Sequence, residues 1–302
     1  MRHIEWSGGR PEVREVPDPR PGPGELLVEV TRVGVTLPVV RAGADGARGG
    51  DVVGRVLVAG ADAGRWEPGT RVVSVAAADA YAERVVVPAA LAASVPDPVS
   101  DDVAVALVRG GQVALGGLRA GGTGPGDAVL VTAAAGGVGH LAVQLARVLG
   151  ATRVVAAVGP GGPPERREMV TRLGAAEART YDDLRDCDPV DVVFDAAGGP
   201  VLERVLPALG PDGRLVVVNG VGGTVETNEL RMHGQSVIGF AMARLVASGP
   251  ERYVAHREFL WEQAQRGGVR PVVQGPFGFD DAAAALALLA ERRNVGKVVL
   301  AP

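Results

Sequence analysis

The segment DAVLVTAAAGGVGHLAVQLARVLGA, residues 127–151, is the most informative part of this chain. Its first part is a short apolar run, typical of a buried strand, which passes through a turn of small residues into a pattern with helical spacing. The apolar side chains that share one face of that helix are Val138, Leu141, Ala142, Leu145, Val148 and Leu149. A strand, a glycine-rich turn and an amphipathic helix in this order predict a βαβ unit and therefore a parallel sheet.

The turn AAAGGVG, residues 133–139, has the composition of a diphosphate-binding loop. Ala134, Gly136 and Gly139 occupy the three small-residue positions of GxGxxG, so the motif is the variant AxGxxG. Small residues let the backbone approach a pyrophosphate and let the helix pack closely on the strand. The first helical amides then point at the phosphates from the positive end of the helix dipole. We therefore expect a dinucleotide site here, against the alternative of a plain strand–helix turn in a chain with 44 glycines.

The predicted second strand of this unit, residues 153–158, ends without the Asp or Glu that holds the ribose hydroxyl in many NAD-binding folds. It runs into the loop GPGGPP, which begins at Gly159, and the first acidic residue is Glu165. Arg166 and Arg167 follow, and guanidinium groups form charge-assisted hydrogen bonds with a 2′-phosphate. The loop favours NADPH over NADH. The alternative is that the two arginines only begin a solvated helix.

On the N-terminal side, the first hundred residues are rich in valine and are divided by Pro/Gly clusters, with candidate strands at 25–33, 52–59, 71–75 and 81–87. From residue 126 strands alternate with helical patterns; the strands are 128–132, 153–158, 191–196, 214–219 and 236–240, and the helical segments are 138–149, 165–173 and 201–209. The last sixty residues contain predicted helices at 251–266 and 280–292 and a strand at 297–300. These patterns predict an α/β protein with a β-rich domain of residues 1–110 and 242–302 and a doubly wound parallel-sheet domain of residues 111–241.

Composition narrows the classes of function. The chain has 302 residues and a formal net charge of −4, so it lacks the basic excess of a nucleic-acid-binding protein. Its one cysteine, Cys187, excludes an intrachain disulfide and a cysteine-based zinc site, and Lys297 is its only lysine. The first residues, MRHIEWSGGRPEV, have no apolar core, and no stretch approaches the roughly 20 apolar residues of a membrane helix. We expect a cytoplasmic protein that acts on a small molecule, with no nucleic-acid or membrane partner.

Almost the whole chain resembles the medium-chain dehydrogenase/reductases, in the zinc-independent branch that contains the quinone oxidoreductases and enoyl reductases. The segments that carry the resemblance are PEVREVPDPRPGPGELLVEV (11–30), AYAERVVVP (80–88), PGDAVLVTAAAGGVGHLAVQLARVLGA (125–151), VDVVFDAAGG (190–199), GPDGRLVVVNG (210–220) and NVGKVVL (294–300). The resemblance implies a GroES-like catalytic domain built from both chain ends, a Rossmann domain, NADPH in the cleft between them, and a homodimer.

The resemblance also implies which residues contact the cofactor. The expected set is Ala134, Gly136, Gly137, Val138, Gly159, Arg166, Tyr181, Asn219, Gly220 and Arg292. The turn residues would cradle the pyrophosphate, and Arg166 and Tyr181 would lie near the 2′-phosphate. Asn219 and Gly220 would border the nicotinamide ribose, and Arg292 would come from the returning segment.

No metal is expected. Where zinc-containing relatives carry a cysteine and a His-Glu pair, this chain has Thr36 and Gly50-Asp51. The histidines, which are far apart and show no ligand spacing, are His3, His140, His233 and His256. Thr36 and Tyr81 are the candidate catalytic residues. Thr36 could hydrogen-bond the substrate or cofactor, and Tyr81 falls at the edge of the family's active site, unless it is only a packed aromatic.

The chemistry follows from the cofactor. Hydride addition to a C=C conjugated with a carbonyl gives an enolate, so the site needs a donor for the enolate oxygen and a proton source, which could be solvent. The sequence predicts an NADPH-dependent oxidoreductase acting on a quinone, enone or enoyl-type substrate. A biosynthetic reductase or cyclase for a natural product, or a non-catalytic NADPH-binding sensor or structural protein, are the alternatives, because Thr36, Val39 and Val113 replace polar residues common in the family.

Overall fold

The computed structural model describes residues 1–7, 10–42, 49–76, 79–160, 162–218 and 220–302. These residues divide into two compact units, one formed by Met1–Arg109 with Val273–Pro302 and the other by Gly110–Val272. None of the helices that the structure describes combines the length and the hydropathy that a membrane crossing requires.

The first unit begins with valine-rich strands separated by turns. Its elements up to Arg109 are β1 (Arg2–Ser7), β2 (Arg10–Glu15), β3 (Glu25–Gly34), α1 (Leu37–Ala42), β4 (Gly50–Ala59), β5 (Arg71–Ala76), β6 (Arg84–Pro88), β7 (Ala93–Ser94) and α2 (Asp101–Ala106). The predicted strand 81–87 begins only at Arg84. Tyr81 lies just before it, and its carbonyl accepts a hydrogen bond from the amide of Ile4 in β1 (2.8 Å). Tyr81 is therefore held between β1 and β6.

The second unit contains the glycine-rich segment. Its elements are α3 (Gln112–Ala120), β8 (Ala128–Val131), α4 (Gly139–Val148), β9 (Arg153–Val158), α5 (Glu165–Arg172), β10 (Glu177–Thr180), β11 (Val190–Asp195), α6 (Pro200–Val205), β12 (Leu209–Val217), α7 (Thr227–His233), β13 (Ser236–Gly239), α8 (Met242–Ser248) and α9 (Pro250–Gln265). Six strands of the described chain form one parallel sheet in the order β10-β9-β8-β11-β12-β13. This order confirms the predicted doubly wound fold.

The central strands of this sheet are apolar because helices cover both of its faces. Val129, Leu130 and Val131 of β8 are fully buried. The strand β10, which was not predicted, has the polar sequence EART and lies at the sheet edge beside β9. A short polar edge strand gives no hydrophobic signal, so only the parallel pairing identifies it.

The chain returns to the first unit at Val273, later than the predicted residue 242. The reason is that α8 and α9 pack against α3 and each other within the second unit. The returning elements are β14 (Val273–Gly278), α10 (Ala282–Ala290) and β15 (Lys297–Ala301). β15 pairs antiparallel with β3, and the described strands of this sheet run β14-β15-β3-β4-β5-β7, with β6 also on β3. This pairing brings the start of β15 beside the end of β3.

Candidate functional site

The parallel sheet has its topological switch point between β8 and β11, where ligands bind at the carboxyl ends of the strands. Thr132 follows β8 and Asp195 ends β11, and both are fully buried. The Thr132 hydroxyl donates to Asp195 Oδ1 (2.7 Å) and accepts from the amides of Ala196 (2.9 Å) and Ala197 (3.0 Å). Asp195 Oδ1 also accepts from the amides of Ala197 and Gly198 (3.1 Å each). This network fixes the start of the glycine-rich turn to the loop after β11.

The glycine-rich turn has the compact geometry that its sequence predicts. Ala133 has a φ of +47°, and the amide of Ala134, which is fully buried, donates to the carbonyl of Ala157 (3.1 Å). A Cβ on Gly139 would lie 2.2 Å from the Ala133 carbonyl oxygen, so only glycine fits where α4 begins. Gly136, whose amide donates to the same carbonyl (2.9 Å), tightens the turn further. The small residues of AxGxxG are required by this close approach of turn and helix.

His140, for which the sequence predicted no role, contacts the glycine-rich turn through its imidazole ring. The ring is fully buried; Nδ1 lies 2.8 Å from the Gly136 carbonyl oxygen and Nε2 lies 3.1 Å from the Val272 amide nitrogen. A carbonyl can only accept and an amide N–H can only donate, so these two contacts assign a neutral ring with its proton on Nδ1. His140 therefore fixes the Gly136 carbonyl of the turn and links it to the Val272 amide.

A cavity of about 270 Å³ lies beyond the end of β9, where an adenosine ribose binds in folds of this type. Gly159, Gly162, Arg166, Arg167 and Thr180 line it, together with Val158, Pro163 and Pro164. None of these described lining residues carries a carboxylate. The structure thus brings the predicted Gly159 and Arg166 together at one cavity with two guanidinium groups.

Tyr181 joins this cavity to the glycine-rich turn. Its hydroxyl accepts a hydrogen bond from the amide of Ala133 (3.1 Å), and the residue is 8% exposed. Arg166 is 7% exposed, and burial lowers the pKa of its guanidinium below the ordinary value, with Tyr181 acting in the opposite direction. Arginine remains charged at neutral pH in spite of such a shift. A buried cation therefore faces the place predicted for the 2′-phosphate.

The other predicted cofactor residues are distributed differently. Gly137 and Val138 lie in the turn and at its junction with α4. Asn219 lies outside the described residues, and Gly220 is exposed, with no atom within 4 Å of a Cβ built on it. Arg292 lies in the first unit, after α10, with a φ of +54°.

A buried cluster of charges in the first unit was not predicted. Asp51, in β4, is fully buried; its Oδ2 accepts from Lys297 Nζ and its Oδ1 accepts from Arg109 Nε, each at 2.6 Å. Burial by itself raises the pKa of Asp51, but the charges of Lys297 and Arg109 outweigh it and hold the pKa below its ordinary value. Asp51 is therefore an ionised carboxylate held between two cations.

The β-sheet register builds this cluster. Gly34 in β3 pairs with Asp51 in β4 and with Val299 in β15, so the side chains of Asp51 and Lys297 meet over it. A Cβ on Gly34 would lie 2.6 Å from Lys297 Cε and 3.1 Å from Asp51 Cβ. In the sequence, the local features at this cluster are a glycine at the end of an apolar strand and a single lysine in a chain otherwise rich in arginine. The partners are far apart in sequence, so neither signal identified the pair.

The two predicted catalytic residues lie beside this cluster. Tyr81 is fully buried and packs edge-to-face on Trp6, with ring centroids 5.3 Å apart. Burial raises the pKa of Tyr81 above its ordinary value, and the Asp51 carboxylate adds to this, whereas the Thr36 backbone and Arg109 oppose it. Within the described residues the Tyr81 hydroxyl has no hydrogen-bond partner of good geometry. The group is therefore a protonated, buried donor near Thr36.

The structure also gives the surroundings of Val39 and of the side chains that could hold a metal. Val39, at a position where the family is commonly polar, is 3% exposed and belongs to the core of the first unit. No three described His, Cys, Asp or Glu side chains cluster as metal ligands. Both carboxylate oxygens of Asp51 are bonded to cations.

Comparisons with known proteins agree with this architecture. Residues 173–300 match the family model described as zinc-binding dehydrogenase. Protein NorB of the spectinabilin polyketide synthase system of Streptomyces orinoci is 33% identical over 297 residues, which are 92% of this chain, and the chain spans 13% of the length of that protein. The acryloyl-coenzyme A reductase of Metallosphaera sedula is 28% identical over 96% of each chain.

A solved structure is similar to this chain over the full length of both chains. The quinone oxidoreductase of Thermus thermophilus, which was solved alone and in complex with NADPH, has a TM-score of 0.84 to this chain. The two are 30% identical, and the match covers all of both chains.

Proposed function

Because the chain belongs to the medium-chain dehydrogenase/reductase superfamily, in the branch of the quinone oxidoreductases and enoyl reductases, we propose that it is a cytoplasmic, NADPH-dependent oxidoreductase. Its substrate is a quinone, an enone or an enoyl-type carbonyl compound, which accepts hydride without help from a metal. The observation that carries this proposal is the cavity at the end of β9, lined by Arg166 and Arg167 and by no described carboxylate.

The residues of the second unit fit NADPH. Gly136, Gly137 and Val138 cradle the diphosphate at the start of α4. The amides of Gly137 and Val138 donate to it, whereas the Gly136 amide already donates to the Ala133 carbonyl. Ala134 lets the backbone approach the diphosphate closely. Arg166 holds the 2′-phosphate with Gly159 and Tyr181 beside it. By the family resemblance, Asn219 and Gly220 border the nicotinamide ribose, and Arg292 is a basic residue that the returning segment contributes. When bound, NADPH supplies the hydride.

The first unit supplies the polar groups for the substrate. The raised pKa of Tyr81 keeps its hydroxyl protonated, so it donates a hydrogen bond and does not ionise at neutral pH. Thr36 orients the substrate or the cofactor through its hydroxyl. The proton that completes reduction at the α-carbon comes from solvent or through Tyr81.

Metal independence is part of the proposal. Zinc needs deprotonated ligands with free lone pairs, and in catalytic sites it takes three protein ligands. Thr36 and Gly50 are poor ligands, and both oxygens of Asp51 are bonded to Lys297 and Arg109. A variant of this family that works without zinc must stabilise negative charge on the substrate by hydrogen bonds and fixed cations.

A homodimer is also proposed, formed through the edge of the parallel sheet. β13 is one of the two edge strands of the described parallel sheet, and its outer side presents backbone hydrogen-bonding groups. Val237 in β13 is 43% exposed, and Met232 on the neighbouring α7 is 61% exposed. Pairing of two β13 strands would satisfy the strand edge and cover these apolar side chains.

Binding calorimetry with the Arg166→Met variant tests the cofactor assignment. A charge-assisted hydrogen bond contributes about 1.5–3 kcal/mol, so loss of Arg166 weakens NADPH binding roughly 10- to 100-fold. NADH, which lacks the 2′-phosphate, binds the variant as it binds the wild type. Arg172→Gln is the matched control, because Arg172 lies on the same helix but is exposed and pairs with Glu168. Equal binding of NADPH by wild type and Arg166→Met would contradict the assignment.

A biosynthetic role is the second candidate, favoured by the likeness to the polyketide synthase protein of Streptomyces orinoci. In that case the substrate is an unsaturated acyl thioester on a carrier. A comparison of kcat/KM for an enoyl thioester and for a simple quinone separates the two candidates.

A further inference from the structure

Tyr181 lies between the cavity at the end of β9 and the glycine-rich turn. It directly follows β10, whose last residue, Thr180, pairs with Val158 at the end of β9 and lines that cavity. Tyr181 belongs to the core of the second unit and is 8% exposed. Its ring packs behind Gly159, where a Cβ would lie 3.8 Å from Tyr181 Cε2. Packing therefore fixes the ring, and its hydroxyl reaches the turn.

The Tyr181 hydroxyl holds the amide at which the chain leaves the sheet and enters the turn. The Ala133 amide donates to Tyr181 Oη at 3.1 Å. The amides on either side donate to neighbouring strands, that of Thr132 to the Phe194 carbonyl (3.0 Å) and that of Ala134 to the Ala157 carbonyl (3.1 Å). At Ala133 a side chain thus takes the place of a strand as the hydrogen-bond acceptor.

Ala133 has a backbone conformation that needs such support. Its φ is +47°, a region that residues other than glycine seldom adopt because of steric crowding at Cβ. In this conformation its carbonyl accepts from the Gly136 amide (2.9 Å) and contacts the first turn of α4 at Gly139. A left-handed alanine persists only where the surrounding contacts hold it. The Tyr181 hydroxyl fixes the peptide bond before Ala133 and so stabilises the φ on which the shape of the turn depends.

We propose that Tyr181 is a positioning residue for the cofactor, whose hydroxyl holds the glycine-rich turn in its diphosphate-binding conformation. This proposal rests on the proposed function. The diphosphate is common to NADPH and NADH, so Tyr181 contributes to the affinity for both. Arg166 contributes only to the affinity for ligands that carry a 2′-phosphate. One side chain thus sets the overall affinity for dinucleotides, and the other sets the preference between them.

Titrations of four ligands with Tyr181→Phe test the proposal, because phenylalanine keeps the packed ring and removes only the hydroxyl. Loss of one hydrogen bond raises the Kd for NADPH, NADH and ADP-ribose by the same factor, about 2- to 10-fold. Adenosine 2′-monophosphate, which has no diphosphate, binds the variant as it binds the wild type, which also shows that the variant is folded. Arg166→Met gives the opposite pattern, in which only NADPH and adenosine 2′-monophosphate bind more weakly.

Tyr253→Phe is the matched control, because Tyr253 is another buried tyrosine of the second unit, 4% exposed, in α9. All four ligands bind this variant with the wild-type Kd. In the protein without ligand, hydrogen exchange measured by NMR is faster at the Ala133 amide in Tyr181→Phe and unchanged in Tyr253→Phe.

A double variant tests the dependence on the backbone conformation of Ala133. Glycine adopts a positive φ readily. In the Ala133→Gly background, removal of the Tyr181 hydroxyl therefore raises the Kd for NADH by a smaller factor than it does in the wild-type background. An equal factor in both backgrounds would contradict the proposed link between the hydroxyl and the φ of Ala133.

Two binding patterns would overturn the proposal and leave the proposed function intact. Wild-type affinity of Tyr181→Phe for NADH and ADP-ribose would show that the turn does not depend on the hydroxyl. Weaker binding confined to NADPH and adenosine 2′-monophosphate would show that the hydroxyl serves the 2′-phosphate and not the turn. Absence of NADPH and NADH binding by the wild type would reject both the role of Tyr181 and the proposed function.

Discussion

Replacing Lys297 with methionine removes one of the two cations from the buried carboxylate of Asp51. Loss of one partner from a buried pair costs about 3–5 kcal/mol, because the remaining charge stays desolvated. Asp51 is fully buried, the Lys297 side chain is 7% exposed, and their bond is 2.6 Å long. Arg109 remains on Oδ1, so the expected cost is at the lower end, about 3 kcal/mol. That corresponds to a fall in Tm of roughly 6–12 °C.

Urea unfolding of a double-mutant cycle measures this coupling. Asp51→Asn alone leaves Lys297 buried without its counter-charge and destabilises the protein, whereas Lys297→Met with Asp51→Asn removes both buried charges of the pair. The double variant is therefore more stable than the sum of the single effects, by about 2 kcal/mol. Arg14→Gln, which breaks an exposed pair with Glu12, changes stability by less than about 0.5 kcal/mol. Additive effects at Asp51 and Lys297, or a cost below about 1 kcal/mol for Lys297→Met, would show that the buried pair is not coupled as its geometry implies.

Three further predictions concern the second unit. Gly139→Ala places a Cβ 2.2 Å from the Ala133 carbonyl oxygen, so NADPH binding measured by calorimetry weakens at least about tenfold. Gly239→Ala is the control, because its Cβ meets no atom within 4 Å and NADPH affinity stays unchanged. Equal NADPH affinities of the two variants would show that the turn tolerates the methyl group. Burial, with help from Arg119 and Arg252, lowers the pKa of His256 from 6.5 to about 4. Between these pH values the unfolded chain binds a proton that the folded chain does not, so the free energy of unfolding falls as the pH drops from 6.5 toward 4. Urea titrations of wild type and His256→Gln should differ in the pH dependence of this free energy, and parallel curves would exclude His256 as its source. Val237→Lys, on the exposed edge strand, converts the proposed dimer to a monomer in analytical ultracentrifugation, and a wild-type monomer would rule the dimer out.

The strand–turn–helix segment was predictable because its structure depends on local chemistry. Buried strands, helical spacing and the need for small residues at a tight turn are all visible within residues 127–151. The role of Arg166 was also suggested by local sequence, because Arg166 follows the strand 153–158, whose end lacks the acidic residue that would bind a ribose hydroxyl. β10 escaped prediction because its EART sequence has no hydrophobic period.

The charge cluster was not predictable because it depends on long-range pairing. Asp51 and Lys297 are 246 residues apart and meet only through the pairing of β3 with β4 and β15. Arg109 looks like an ordinary helix residue until its bond to Asp51 is seen. The helix predicted at 251–266 is observed as α9, but helical spacing does not tell which unit a helix packs against, so the return was placed at residue 242.

Steady-state turnover is the decisive measurement for the proposed NADPH-dependent reduction. Purified protein is mixed with NADPH or NADH and with 1,4-benzoquinone, methyl vinyl ketone or crotonyl-coenzyme A, and the loss of reduced nicotinamide is followed alongside the reduced product. We predict oxidation of NADPH in equal amount to substrate reduced, with NADH used poorly and with no effect of a metal chelator. Tight NADPH binding without oxidation by any of these acceptors would contradict the proposed activity.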